Sequence, residues 1–169
     1  MISRYVKGRV AVYIDASNIY HSCKRLKWQV DYRKLHDYLA GELNLVSVSF
    51  YSAKDPNNQA QDRFLRIMEN MGYRVRSKIV KFIKSESDPP GGFHKANCDV
   101  ELTIDVDDLG GFDTLILASG DSDFKALIQR VKQERKWCLV ISTKGHVAKE
   151  LLDEAKFIDL KKLKTEIAR

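Results

Sequence analysis

LILASGDSDF, residues Leu115 to Phe124, is the stretch that decides the fold. Leu115, Ile116, Leu117 and Ala118 form a continuous apolar run closed by Ser119 and Gly120, the pattern of a strand buried on both faces of a parallel sheet. Asp121 and Asp123 follow at once, and then Phe124, Leu127, Ile128 and Val131 at the i, i+3, i+4, i+7 spacing of an amphipathic helix. The order is therefore strand, acidic turn, helix. In open α/β sheets ligands bind beyond the carboxyl ends of the strands, so acids placed there are positioned for chemistry. A plainer reading gives the same acids to helix capping, with Asp121 or Ser122 as N-cap and Asp123 in the first turn. One such turn does not choose between the two.

A second acidic strand end lies near the start of the chain. Val10 to Ile14 (VAVYI) reads as a buried strand that stops at Asp15. Ser17 is positioned to cap a helix bearing Ile19, Cys23 and Leu26, with Asn18 in its first turn beside Asp15, where capping is again the plain alternative. Asp31 suits the N-cap of a short helix with Leu35, Tyr38 and Leu39 inward. Val46 to Ser52 alternates as a strand, Ala53 to Asn58 is a loop, and about Gln59 to Met71 is a helix with Phe64, Ile67, Met68 and Met71 at core spacing and Gly72 closing it.

Tyr73 to Lys84 interleaves Arg74, Arg76, Lys78, Lys81 and Lys84 with apolar residues, either an edge strand guarded by charge or a track for phosphates. Ser85 to Phe93 (SESDPPGGF) reads as a surface loop. In Lys95 to Leu109 two periods compete. Strict alternation at Cys98, Val100, Leu102, Ile104 and Val106 argues for a strand, whereas Cys98, Leu102, Val106 and Leu109 form a helical stripe that would border Asp99. Trp137 to Ile141 is a further buried strand. Gly145 precedes a helix through Val147, Leu151 and Leu152, Phe157 to Leu160 is a short last strand, and Lys161 to Arg169 a basic, frayed helix. Strands alternating with helices predict a three-layer α/β/α sandwich with a mainly parallel central sheet, and 169 residues fit a single domain over 1–169.

The net charge of +6 and pI near 9.2 favour contact with polyanions. No apolar run approaches a membrane span, and the first residues lack a signal-peptide core, so the cytoplasm is the expected location. Cys23, Cys98 and Cys138 are odd in number and far apart, which fits core hydrophobes rather than disulfides or zinc. His21, His36, His94 and His146 have no partner at metal or triad spacing and read as surface or structural residues. There is no P-loop, no GxGxxG after the first strand, and no second aspartate after Asp15 for a DxD phosphotransferase. Ser122 in Gly-Asp-Ser has no local histidine and acid to make it a hydrolase nucleophile.

What remains is an oxygen-ligand site: Asp15 and Asn18 after one strand, Asp121 and Asp123 after another, with Asp99 as a candidate fifth member. Hard divalent ions take carboxylate oxygens, and acids gathered in one crevice repel unless cations neutralise them. Two such ions about 3.5–4 Å apart can activate water and stabilise the leaving oxygen of a phosphodiester.

The residues YIDASN (Tyr13 to Asn18), KxxxD (Lys95 to Asp99) followed by Asp105, and SGDSDF (Ser119 to Phe124) resemble, in order, the NYN domain family, PIN-like metal-dependent ribonucleases that include the LabA-like or DUF88 group. The resemblance runs from about Val10 to Leu160. It implies a PIN-like Rossmannoid sandwich in which Lys95 to Leu109 is a helix. It also implies that Asp15, Asp99, Asp121 and Asp123 hold Mg²⁺ or Mn²⁺, with Asn18 as a site residue, Lys95 touching phosphate, and Ser119 and Ser122 orienting ligands. Asp105 and Asp107 read as helix-surface acids, Asp105 with an outer-shell role open to it. The function so implied is a metal-dependent endoribonuclease on single-stranded or structured RNA. The alternative is an RNA-binding regulatory module with weak or no cleavage, its affinity carried by the basic Arg74 to Lys84 strand, where Arg76, Lys78 and Lys81 are the candidate substrate contacts. A homodimer is left open, as are specificity and the number of metals.

Overall fold

A computed structural model describes residues 1–83, 93–95 and 97–169, with the backbone alone at 81–83 and 93–95. The loop expected over Ser85–Phe93 therefore lies outside the described residues except for Phe93, which is in a strand, and so do the side chains of Lys81 and Lys95. Six strands form one parallel sheet: β1 (Arg9–Asp15), β2 (Asn44–Lys54), β3 (Tyr73–Ile79), β6 (Thr114–Ala118), β7 (Trp137–Ser142) and β8 (Lys156–Asp159), in the order β3-β2-β1-β6-β7-β8. Between β3 and β6 the short strands β4 (Lys81–Ile83) and β5 (Phe93–Lys95) make a separate antiparallel pair.

The sheet divides two cores because its central strands alternate. Val10, Val12 and Ile14 of β1 face a core shared with α1 (Ala16–Leu26), α2 (Tyr32–Glu42), α3 (Gln59–Asn70) and α7 (Lys164–Ile167). Ala11 and Tyr13 face the opposite core, with α4 (Asp99–Leu109), α5 (Lys125–Gln133) and α6 (Lys149–Glu154). This is the expected α/β/α sandwich. The chain lays β2 and β3 to one side of β1 and then returns to place β6 on the other. The carboxyl ends of β1 and β6 thus border the point where strand order reverses, the crevice in which such sheets bind ligands.

The helix expected over Lys95 to Leu109 begins only at Asp99, because Lys95, in β5, pairs with Lys81 of β4, and from Asp99 to Leu109 the reason for the helix is burial. A helix puts Cys98, Leu102 and Val106 together in the core and leaves Val100 and Ile104 outside at 65% and 52% exposure. The strict alternation therefore carried no strand. β2 extends beyond the expected Val46 to Ser52, and an irregularity beside Val46 pairs Val10 with Leu45 but Ala11 with Ser47. That bulge turns Val46 outward.

Three local expectations are corrected. In α3 the buried residues are Leu65 and Met68, while Ile67 is 49% exposed and Phe64 lies at the rim. The helix is rotated because Tyr32, Phe50 and Tyr73 already fill the adjoining core edge-to-face. The helix after Gly145 begins only at Lys149 and buries Leu151, leaving Leu152 outside. The terminal segment is not frayed: Leu163 and Ile167 are fully buried, and Asp31 N donates to the Ile167 carbonyl at 2.8 Å.

Met68 and Ile67 are neighbours with opposite surroundings. Met68→Ala should cost about 2–5 kcal/mol by urea denaturation, whereas Ile67→Ala should cost about 1 kcal/mol or less.

Candidate metal centre

Parallel pairing of β1 with β6 sets Ile14 against Ala118, so the two strands deliver Asp15 and the Ser119–Asp123 turn side by side. Asp15 is the N-cap of α1, taking the place expected for Ser17, and its Oδ1 accepts from the Asn18 backbone N–H at 3.1 Å. Its Oδ2 accepts from Ser119 Oγ at 3.0 Å. Asn18 does not spend its side chain on capping. Its Oδ1 accepts from Gly120 N–H at 2.9 Å, tying the start of α1 to the end of β6. Asp121 caps the short turn that follows, its Oδ1 accepting from Asp123 N–H at 3.0 Å. Capping therefore holds for Asp15 and Asp121, and it leaves both residues lining one cleft.

Asp99 enters from the first turn of α4, its Oδ2 accepting from Asn97 Nδ2 at 2.7 Å. One carboxylate oxygen from each of Asp99, Asp121 and Asp123 lies within 4.8 Å of the others. Asp15, Asn18, Asp99 and Asp121 line the same cleft of about 260 Å³, together with His21, Tyr51, Asn97 and His146. Asp15 joins this cleft rather than the tight group of three.

Burial, and then the facing charges of Asp15, Asp121 and Asp123, push the Asp99 carboxyl up to about 6, against the weaker pull of the Asn97 amide. Burial also raises Asp15, partly offset by the Asn18 N–H and Ser119 hydroxyl. This donor set consists of hard oxygens under mutual repulsion, and a small divalent cation fits it where an anion or a soft metal does not.

Ser119 is fully buried and positions Asp15; it also accepts from Asp121 N–H at 3.3 Å. Ser122 is exposed on the turn. Arg76 and Lys78 turn onto α4, Arg76 Nη2 lying 3.0 Å from Asp105 Oδ1 and Lys78 Nζ 2.8 Å from Glu101 Oε1. Asp105 also accepts from the Tyr51 hydroxyl at 2.7 Å, so this acid serves an ion pair and a phenol instead of joining the other carboxylates. The three cysteines are buried and free, as expected of core residues.

Sequence reading missed Asn97, Tyr51 and the two cleft histidines. Asn97 carries a faint signal, a polar residue just before a helix start. Tyr51 carries none, because it reaches the cleft only through its register opposite Asp15.

The NYN domain family model matches residues 9–161. This chain belongs to the NYN domain family. Members of that family are generally nucleases and generally depend on divalent metal. Low amplitude and bright protein LabA of Synechococcus elongatus is 32% identical over 167 residues, covering 96% of this NYN chain and 89% of its own. A crystal structure of a Vibrio parahaemolyticus protein of unknown function superposes with a TM-score of 0.75 at 24% identity, covering 96% and 97% of the two chains, and shows the same fold. No described helix of this NYN domain is long and apolar enough to cross a membrane.

Folding raises the Asp99 pKa from 3.8 to about 6, so its contribution to stability is complete below pH 3.8 and is lost as the pH rises through about 6. In EDTA at pH 7.5, Asp99→Asn should therefore raise stability, by about 1 kcal/mol once solvent screening is discounted, and the thermal gain on adding Mn²⁺ should shrink. Parallel thermal melts with and without metal check both signs.

A Cβ at Gly120 would run into the His146 carbonyl and stand 2.6 Å from Ser142 Oγ. Gly120→Ala should displace the acidic turn and cost about 1–3 kcal/mol by the same melts.

Proposed function

We propose that this NYN domain is a Mg²⁺- or Mn²⁺-dependent endoribonuclease. The observation that carries the reading is the convergence of Asp15, Asp99 and Asp121 on one cleft, with an Asp123 oxygen within 4.8 Å of those of Asp99 and Asp121, and with Asp99 raised to about 6 by burial and by the charges of the others. Such a concentration of like charge is costly by itself and becomes favourable when a cation is shared. Asp99, Asp121 and Asp123 would hold the ion, with Asp15 at their flank; when bound, it supplies an activated water and neutralises charge on the leaving oxygen.

The chain's own contribution is placement. Ser119 and the Asn18 backbone N–H hold Asp15 in one rotamer, Asn97 holds Asp99, and the Asn18 to Gly120 bond keeps the two strand ends at fixed separation. A carboxylate whose rotamer is already fixed loses little entropy on ligation. RNA as the substrate is supported by the family and by the net charge of +6, which raises the local concentration of a polyanion. The regulatory-module reading asked the basic strand with Arg76, Lys78 and Lys81 to carry the affinity, and of these the side chains of Arg76 and Lys78 are described. Their engagement by Asp105 and Glu101 gives it no support.

Purified protein with Mn²⁺ should cut single-stranded or structured RNA oligonucleotides, and EDTA should stop it. Asp121→Asn keeps an oxygen for the cap but removes the charge, so cleavage should fall by about 100-fold or more while the melting temperature holds. Intact RNA under every metal condition, or full activity in the variant, overturns the reading.

A further inference from the structure

Beside the acidic cleft lies a second cavity of about 340 Å³ with a different lining. Its walls are Tyr20, Tyr32, Phe50 and Phe64, and it shares Ser17 and Ala53 with the cleft that holds Asp15, Asp99 and Asp121. The two hollows thus adjoin across Ser17 and Ala53. Tyr32, Phe50 and Phe64 contact one another edge-to-face, with centroids 5.1 Å apart for Tyr32 and Phe50, 5.8 Å for Tyr32 and Phe64, and 6.1 Å for Phe50 and Phe64. These rings form a fixed aromatic wall.

Tyr20 stands apart from that wall. It is 61% exposed, and its position follows from α1: it lies two residues beyond Asn18, on the helix that Asp15 caps. Phe64 is the α3 residue expected in the core and found 38% exposed at the rim. A large exposed aromatic normally costs solubility without return. Two of them bordering one aromatic hollow next to an acidic site make a surface suited to a flat, apolar ring system with polar edges.

The polar groups at the rim limit what can enter. Gln61 is committed on both sides, its Nε2 donating to the Ala53 carbonyl at 2.7 Å and its Oε1 accepting from Asp55 N–H at 2.8 Å. Recognition here is by stacking, with little reading of hydrogen-bond edges, and it tolerates any base. A base can reach the aromatic faces only when it is neither paired nor stacked in a duplex.

We propose that the Tyr20, Tyr32 and Phe64 hollow is a nucleobase-stacking subsite, which seats one unpaired base of a single strand whose neighbouring phosphate lies at the carboxylates. It rests on the reading of the acidic cleft as a phosphodiester site, and it makes that site selective for single-stranded over duplex RNA.

The test is a binding titration that needs no cleavage. An RNA oligonucleotide carrying 2-aminopurine is added to the protein in Ca²⁺, single-stranded or annealed to its complement. Single strand should bind more tightly than duplex, with quenching of 2-aminopurine on stacking. Exposed Tyr20→Ala should weaken single-strand binding by about 5- to 100-fold and abolish the quench, and Tyr20→Phe should restore both. On an oligonucleotide with abasic sites, wild type and Tyr20→Ala should bind alike. Equal affinity for duplex and single strand, or an unchanged quench in Tyr20→Ala, overturns the subsite and leaves the nuclease reading standing if Mn²⁺ still supports cleavage. Tyr20-dependent quenching by a protein that cuts nothing overturns the nuclease reading and keeps the subsite. Absence of any binding overturns the subsite.

Discussion

The arrangement depends on one constraint: β1 and β6 run parallel and adjacent, so whatever follows each of them is forced into the same crevice. Asp15 follows one, and Ser119 to Asp123 follow the other. The Asn18 side chain locks this neighbourhood by taking the Gly120 N–H, a backbone donor that would otherwise face the crevice. A bond of this kind contributes only about 1 kcal/mol, yet it fixes the relative height of two turns that carry three carboxylates. Asp99, delivered by the helix that covers this face of the sheet, completes the crowd.

Crowding of like charge is the feature a fold ordinarily avoids. Here every neighbour that raises Asp99 electrostatically is another carboxylate, while the polar partners are small groups that orient the acids. The basic residues of β3 are drawn away toward α4, where Arg76 and Lys78 meet Asp105 and Glu101. Positive charge is thus kept on a neighbouring surface, and the acids are left to attract cations from solution.

Much of this was readable before any coordinates. The apolar runs at Val10 to Ile14 and Leu115 to Ala118, each followed within three residues by an acid, pointed to a parallel sheet with an acidic cleft at its carboxyl ends, because strands buried on two faces read as continuous apolar runs. Local capping was less legible: Asp15 and Ser17 are both good caps, and only the geometry of the strand end shows that Asp15 takes the role. Residues 95–109 showed two periods at once, and burial against the sheet, a tertiary effect, selected the helical one. The exposed Phe64 and Ile67 misled for a similar reason, since the space they would have filled is taken by aromatic rings from distant segments. Tyr51 was invisible because strand register is decided across β1 and β2, not within either.

The border strands carry a consequence for the molecule in bulk. One margin of the sheet is β3, studded with exposed Arg74, Arg76 and Lys78, and the other is the four-residue β8 opening with Lys156. Neither offers a long, uncharged ladder for a foreign strand to join. A crowded solution of this protein is thereby guarded against growth into fibrils by edge-to-edge recruitment.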